Sequence, residues 1–235
     1  MLLKQQKGEK TVENIDIFMA CGLFKDLSKE EIEQVIKCCG KNKKKVKKGC
    51  CVYRAGDHIK EMGLVLKGGL IIENDDIWGN KVIIDHVGPG QIFGETYACA
   101  QGEPLLVNVV AGEDTEILLI NPENLFGGCS KPCPQHNKMM VNLLTMTAKK
   151  NINLSRKIMF TSSKTIRGRL SAYFSFQSMK NGSARFTIPF NRQQLADYLG
   201  VDRSAMSHEL SKMKEEGRLD YWKNSFLLIK ANIGE

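Results

Sequence analysis

Residues 188–219 read IPFNRQQLADYLGVDRSAMSHELSKMKEEGRL, a pattern that predicts two short helices joined by a tight turn. Polar caps and glycine stops mark the ends of both helices: Asn191 and Gly200 for the first, Asp202 and Gly217 for the second. The second helix, residues 203–216, carries an apolar stripe that we expect to pack against the first, formed by Met206, Leu210 and Met213. Such a pair is typical of a helix-turn-helix.

The opposite face of the second helix is polar, short-chained and partly basic. It carries Arg203, Ser204, Ser207, His208 and Ser211. A helix that enters the major groove needs small residues for close approach and donors that reach base edges or phosphates. We therefore predict that these five residues, together with Arg192 at the start of the first helix, contact double-stranded DNA. The alternative is an ordinary amphipathic helix pair with a solvated outer face.

Short strand-like runs flank the helix pair. Residues 185–189 (RFTIP) precede it, and residues 219–230 (LDYWKNSFLLIK) follow it as two predicted strands around a turn. From residue 161 onward the chain has 12 Lys and Arg against 7 Asp and Glu, a surplus that suits phosphate contacts. This segment therefore predicts a winged helix-turn-helix.

Composition limits the class of protein. A chain of 235 residues with 42% hydrophobic content, a net charge of +8 and a pI near 9.0 predicts two domains and a polyanionic partner. The charged start, MLLKQQKGEK, lacks the apolar core of a signal peptide, and no apolar run approaches the roughly 20 residues of a membrane helix. We expect a cytoplasmic protein without a membrane partner, whose eight cysteines are free thiols. No nucleophile–base pair or phosphate loop stands out, so we do not expect an enzyme.

The first 135 residues predict a sensor domain. Their first 40 residues have helical spacing, with Ser28 and Glu31 as a capping box. Residues 46–120 are short runs rich in Val, Ile and Leu between glycine turns, which predicts a small antiparallel β-roll. Residues 41–48 hold six lysines and predict a solvated loop or strand edge, with a second contact to DNA or another anionic partner as the alternative.

A long helical pattern follows over residues 136–160. Its seam alternates spacings of four and three residues: Met140, Leu144, Thr147, Asn151, Leu154 and Ile158. This is a coiled-coil seam of about three heptads, and a lone asparagine in such a seam favours a two-stranded register. We predict a parallel homodimer, which would supply the two recognition helices that a palindromic DNA site requires. The alternative is that the stripe packs only against its own domain.

This order of parts resembles the cyclic-AMP receptor protein and FNR (CRP/FNR) family of bacterial transcription regulators over about residues 15–230. The most specific pieces are residues 90–95 (GQIFGE) and 195–210 (LADYLGVDRSAMSHEL). The resemblance implies an α+β fold with a cyclic-nucleotide-binding-domain-like roll in residues 1–135, a dimerisation helix in 136–160 and a winged helix-turn-helix in 161–235.

The same resemblance implies an allosteric, sequence-specific DNA-binding transcription regulator, which would also contact RNA polymerase if it is an activator. A signal at the roll or at the cysteine cluster would change how the two long helices meet, and we expect the hinge near residues 161–163.

The candidate effector pocket consists of Gly94, Glu95, Tyr97, Leu105, Leu106 and Ser155. Gly94 and Glu95 match a ribose-contacting pair in the nucleotide-binding members of the family. The Arg-Ser pair that holds the cyclic phosphate in those members is replaced here by Leu105 and Leu106, and only Ser155 remains of a Thr-Ser pair that contacts adenine. A buried phosphate without its guanidinium partner loses about 2–5 kcal/mol. We therefore expect that cyclic AMP is not the effector and that the roll is either closed by its own side chains or holds another small molecule.

Two further departures from the family bear on function. His208 stands where many members have an arginine that grips guanine, which predicts altered specificity at that base pair. The group Cys129, Cys133 and His136 offers two thiolates and an imidazole, which suits a metal or an iron–sulfur-type centre. The alternative function is therefore a metal- or redox-sensing transcription regulator that uses these three residues, although the family's oxygen-sensing branch has its ligands in an N-terminal cluster that this chain lacks.

Overall fold

The computed structural model describes residues 15–39, 42–75, 81–127 and 134–229. The chain divides between Ala148 and Lys149 into two compact units. None of the helices in the described ranges combines the length and the apolar character needed to cross a bilayer. The division falls inside the helix Pro134–Thr161, which contributes residues to both units.

The first unit begins with helices α1 (Ile15–Ala20) and α2 (Lys29–Cys39), separated by a 3-10 turn at Gly22–Phe24. The predicted capping box at the start of α2 is confirmed. The backbone N–H of Ser28 donates to the carboxylate of Glu31 at 2.8 Å, and the N–H of Glu31 donates to Ser28 Oγ at 3.3 Å.

The strands that follow form the predicted antiparallel roll. They are β1 (Asn42–Val46), β2 (Cys51–Tyr53), β3 (Met62–Lys67), β4 (Leu70–Asp75), β5 (Lys81–Val87), β6 (Ile92–Phe93), β7 (Asn108–Ala111) and β8 (Thr115–Ile120). They pair as two four-stranded sheets with the orders β1-β8-β3-β6 and β2-β7-β4-β5. Helix α3 (Glu95–Ala100) lies between β6 and β7, and helix α4 (Glu123–Gly127) follows β8.

Two buried clusters stabilise the first unit, one on each face of the β3–β8 pair. Val65 and Ile117 belong to the cluster inside the roll, whereas the adjacent Leu64 and Leu118 belong to the cluster that includes α1 and α2. This alternation follows from the two-residue period of a strand. Strand β1 is the edge of its sheet and its lysines are exposed, so the strand-edge prediction for the lysine run is confirmed.

The long helix α5 (Pro134–Thr161) contains the predicted helical segment 136–160. Met139 and Leu143, in its first half, are buried in the core of the first unit. Phe160, near its end, is buried in the core of the second unit.

The second unit is the predicted winged helix-turn-helix. After α5 it consists of α6 (Ile166–Asn181), β9 (Arg185–Thr187), α7 (Arg192–Leu199), α8 (Arg203–Glu215), β10 (Leu219–Trp222) and β11 (Ser225–Leu228). The three strands form an antiparallel sheet with the order β10-β11-β9, in which β10 and β11 are the wing. The fold is therefore α+β, as predicted.

Candidate nucleic-acid interface

Caps on both sides of the turn fix the start of α8 relative to α7. Asn191 and Gln194 form a reciprocal capping box in which each side chain accepts the backbone N–H of the other residue at 2.9 Å. Gly200 ends α7 with φ of +63°, a conformation that disfavours any residue with a Cβ. Asp202 then accepts the backbone N–H of Ala205 at 2.7 Å and begins α8. The sequence predicted these caps, apart from the return bond from Gln194.

The buried face of α8 is the predicted one. Met206 and Leu210 are fully buried and Met213 nearly so, in a cluster with the buried face of α7. On the opposite face of α8, Arg203, Ser204, His208 and Ser211 are exposed and Ser207 is half-buried. The packing of the apolar stripe thus presents all five predicted recognition residues on one side of α8.

The serine hydroxyls on this face fold back onto the helix. Ser207 Oγ donates to the carbonyl of Arg203 at 2.9 Å, and Ser211 Oγ donates to the carbonyl of Ser207 at 3.2 Å. The side chains therefore lie close to the helix surface. Because these short side chains lie against the helix, its backbone can approach base edges closely. The longer side chains of Arg203 and His208 extend further from the helix.

Arg192 lies apart from this set. Its guanidinium packs over the rings of Tyr221 and Phe226 in the wing, with centroid distances of 4.8 and 5.1 Å. Burial against these rings lowers the pKa of Arg192. The cation–π contact packs this side chain against the wing, and its predicted contact with DNA stays a prediction.

Two arginines of α6 support the helix pair, and the sequence reading missed both. Arg169 donates to the carbonyls of Leu199 and Gly200 at 2.9 and 2.8 Å, and also to the carbonyl of Ser163 at 2.8 Å. It therefore ties the turn between α7 and α8 to the segment that follows α5. These bonds join residues about 30 positions apart in the chain, so no local pattern signals them.

Arg167 holds α8 itself. Its guanidinium forms ion pairs with Glu209 and with both carboxylate oxygens of Glu216, at 2.8 and 2.9 Å for the latter. The pairing raises the pKa of Arg167 and lowers that of Glu216. A planar guanidinium that contacts one carboxylate on α8 and another on the residue that caps its C-terminus restricts the rotation of that helix on its support.

The predicted seam of α5 is divided between an open part and a covered part. Leu144, Leu154 and Ile158 expose 70%, 62% and 67% of their surface. Met140, in contrast, is half-buried and packs on the core of the first unit, and Thr147 is half-buried with its hydroxyl donating to the carbonyl of Leu143. Leu144 is therefore the first residue of the predicted seam that is open to solvent.

Further apolar side chains widen this open surface of α5. They are Val141, Ile152 and Met159, which expose 63%, 49% and 48% of their surface. Asn151 is exposed within it and accepts a hydrogen bond from Ser155 Oγ at 3.3 Å. We name the exposed residues Leu144, Leu154 and Ile158 the α5 face. Apolar surface of this extent on one helix is typical of a protein–protein contact.

The roll residues of the candidate effector pocket lie around α3. Gly94 has φ of +71°, and a Cβ there would approach Ile59 Cδ1 to 2.9 Å. Glu95 and Leu105 are 3% exposed, and Tyr97 is half-buried. The backbone of Leu105 is paired with the turn at residues 56–57.

The two leucines of the candidate effector pocket differ in their exposure. Leu105 is 3% exposed, but Leu106, at a bend of the backbone, exposes 70% of its surface. Ser155 is exposed on the part of α5 that belongs to the second unit, and its hydroxyl donates to Asn151 Oδ1 at 3.3 Å. Leu105 is therefore the buried member of the pair, and Leu106 the exposed one.

Two of the three residues of the predicted metal or iron–sulfur-type site lie outside the described residues. These two are Cys129 and Cys133, whereas the third, His136, is buried near the start of α5. Within the described ranges no three His, Cys, Asp or Glu side chains come together in a way that could hold a metal ion. Cys21, Cys50, Cys51 and Cys99 are free thiols, as predicted.

Two of these thiols have a raised pKa. Burial raises the pKa of Cys21, and burial together with the charge of Glu95 raises that of Cys99. A raised pKa disfavours the thiolate, which is the form that reacts with oxidants and binds metals.

Comparison with known proteins agrees with this geometry. Residues 43–131 match the cyclic nucleotide-binding domain family, and residues 168–231 match the Crp-like helix-turn-helix domain family. The cyclic AMP receptor protein of Thermus thermophilus is 24% identical over 196 residues, which cover 83% of this chain and 86% of that protein.

Solved structures share the fold. The catabolite activator protein of Thermus thermophilus matches 90% of this chain and 95% of its own with 21% identity and a TM-score of 0.50. CprK in complex with OCPA matches 85% of this chain and 89% of its own with 16% identity and a TM-score of 0.54. The sensor domain of the regulator DNR from Pseudomonas aeruginosa matches 67% of this chain and 99% of its own with 15% identity and a TM-score of 0.51.

Proposed function

Because this chain belongs to the CRP/FNR family of DNA-binding transcription regulators, we propose that it is a homodimeric, sequence-specific regulator that reads palindromic DNA with α8. The observation that carries this proposal is the outer face of α8, which is exposed and polar while the opposite face is fully packed. We assign it to the cytoplasm, where it meets the chromosome, and an activator of this kind would also contact RNA polymerase.

We assign a distinct role in DNA binding to each residue on the exposed side of α8. Arg203, at the first position of α8, is exposed and has the length to reach a phosphate or a guanine edge. Ser204 and Ser207 are short enough to let the helix backbone enter the major groove. His208 offers a single donor to a base edge at the position where a bidentate arginine is common in the family. Arg167 and the caps hold α8 in place, so that little conformational entropy is lost on binding.

Dimerisation is proposed through the α5 face. Leu144, Leu154 and Ile158 are each more than 60% exposed and recur at helical spacing, and Asn151 lies between them. A parallel pairing of two such helices would remove this apolar surface from water. A two-fold pairing also supplies two α8 helices, and their separation must match successive major grooves, about 34 Å apart.

Control is proposed to be allosteric, by a small effector other than cyclic AMP. Cyclic phosphate needs a guanidinium in this pocket, and the corresponding position carries the buried, apolar Leu105. The helix α5 contains residues of both compact units, so a change in the roll can reach the segment after Thr161 through one continuous element. Arg169 links that segment, at Ser163, to the turn before α8.

Two measurements test the proposal. The first is selection of bound duplexes from a randomised pool by the full-length protein, followed by fluorescence anisotropy on the selected duplex as salt is varied. We expect an enriched palindrome and a steep loss of affinity with salt, because bound phosphates release counterions. Enrichment of no sequence, or affinity independent of salt, would contradict DNA reading and favour a protein-interaction module.

The second measurement is calorimetric titration with cyclic AMP. We expect no binding heat and no rise in melting temperature, since a ligand that binds only the folded state must raise it. Micromolar binding would overturn the assignment of Leu105 as the residue that excludes the phosphate. A thermal-shift screen of small metabolites with the same protein then identifies the chemical class of the effector.

A further inference from the structure

The tip of the wing carries an aromatic side chain that packing does not explain. Trp222, the last residue of β10, exposes 78% of its surface, whereas Tyr173, Phe174 and Phe226 of the same unit are at most 2% exposed. Tryptophan is strongly enriched in binding interfaces and is unusual as a solvated side chain. The exposed ring therefore points to a partner that covers it.

The strand register determines what surrounds the ring. Leu219 and Tyr221 face the core of the unit, so Asp220 and Trp222 face outward. Across the sheet, Trp222 is opposite Ser225, which is in turn opposite Thr187, and the hydroxyls of Ser225 and Thr187 lie 2.9 Å apart. The outer face of the wing therefore presents one large ring beside two hydroxyl groups.

The charge around the ring favours an anionic partner. Arg185 and Lys214 line the same shallow groove of about 350 Å³ as Trp222, and Lys223 follows the ring in the turn. The acid of this groove, Asp220, is paired with Lys214 at 2.7 Å. Three basic side chains against one acid suit an anionic partner such as a phosphate backbone.

The wing tip is fixed close to the start of α7. The N–H of Ile188 donates to the carbonyl of Asn224 at 2.9 Å, and the side-chain amide of Asn224 donates to the carbonyl of Ile188 at 3.0 Å. Ile188 precedes Asn191, the cap of α7, by three residues. In helix-turn-helix complexes the first helix crosses the DNA backbone, so the tip lies beside the duplex when α8 is in the major groove.

We propose that Trp222 inserts into the minor groove of the base pairs that flank each half-site and packs against a deformable base step there. Lys223 and Arg185 contact the adjoining phosphates. Apolar side chains that enter the minor groove partly unstack a step, and pyrimidine–purine steps resist this least. The protein therefore discriminates among flanking sequences that α8 does not reach. This inference rests on the proposed function, because it requires that α8 engages DNA.

The test compares full-length wild-type protein with Trp222→Ala, Trp222→Phe and Lys223→Gln on duplexes that share one palindrome and differ only in the flanking steps. The expected result is that wild-type protein prefers pyrimidine–purine flanks by about tenfold, that Trp222→Ala loses this preference, and that Trp222→Phe keeps most of it. Lys223→Gln is the matched control, for which we expect weaker binding on every flank and a shallower salt dependence. Because Trp222 is exposed, all variants are expected to keep the wild-type melting temperature.

A spectroscopic readout reports insertion directly. The chain has two tryptophans, so the Trp78→Phe variant leaves Trp222 as the only tryptophan, whose emission can be excited selectively at wavelengths that tyrosine does not absorb. Insertion predicts that duplex binding quenches its emission and shields it from iodide. Unchanged emission together with the same flank preference in Trp222→Ala would overturn the inference while leaving DNA reading by α8 intact. Failure of wild-type protein to select any palindrome would instead remove the proposed function and the inference with it.

Discussion

Placing a charge on the α5 face should separate the protomers without unfolding them. Leu154 is 62% exposed in the single protomer, so glutamate at this position meets water and leaves the packing of the unit unchanged. In a parallel dimer the same position faces its own copy across the two-fold axis. The substitution Leu154→Glu therefore acts only on the assembly.

The size of the effect follows from the exposed fraction. Full burial of a leucine side chain stabilises by about 1.5–3 kcal/mol, so covering the exposed part contributes about 1–2 kcal/mol for each copy. Two copies contribute about 2–4 kcal/mol, and two facing carboxylates add about 1–2 kcal/mol of repulsion. The sum weakens the dimer by about a hundredfold to ten-thousandfold.

Sedimentation equilibrium over a range of protein concentrations measures this directly. The matched control is Asn153→Glu, which adds the same charge one residue away, at an exposed position outside the predicted seam of the same helix. We expect wild type and Asn153→Glu to sediment as dimers and Leu154→Glu as a monomer with an unchanged melting temperature. A dimeric Leu154→Glu, or a monomeric wild type, would refute the assignment of the α5 face.

Three further predictions concern the winged helix-turn-helix and the roll. His208→Arg should raise the preference for guanine at one base pair of each half-site by about 1–3 kcal/mol, and unchanged site selection would mean that His208 does not read that base. Gly94→Ala should lower the free energy of unfolding of the first unit by about 1–3 kcal/mol, because φ is +71° and a Cβ meets Ile59 at 2.9 Å; denaturant unfolding of the full chain measures this. Arg167 lowers the pKa of Glu216 in the folded state, so stability from this pair is present above the unfolded-state pKa and is lost as the pH falls below about 4. Glu216→Gln should flatten that part of the stability–pH curve, and a curve identical to wild type would exclude the pair as a contributor.

Local signals in the sequence were sufficient to predict the helices and strands of the second unit. Caps at Asn191 and Asp202, a glycine stop at Gly200 and an apolar stripe at helical spacing each act within a few residues, so they can be read from the chain before it folds. The alternating strands of the roll and the wing are local in the same sense. These elements are where prediction and structure agree.

Hydrogen bonds between segments that are distant in the chain could not be predicted from the sequence. The bonds from Arg169 to the turn before α8 join segments that only the tertiary fold brings together. The sequence also placed both Leu105 and Leu106 in the candidate effector pocket, and it could not show that Leu105 is buried and Leu106 exposed. Trp222 was visible only as part of a strand, and its exposure became evident from the register of the wing.

The most direct test of the central claim is anisotropy of the full-length protein on its selected palindrome, compared with the Arg203→Ala variant and with a duplex of scrambled sequence. The account predicts tight binding of wild type to the palindrome, at least a hundredfold above the scrambled duplex, and about a tenfold or greater loss in the variant. Equal affinity of wild type for both duplexes, or an Arg203→Ala variant that binds like wild type, would contradict the claim that α8 reads DNA.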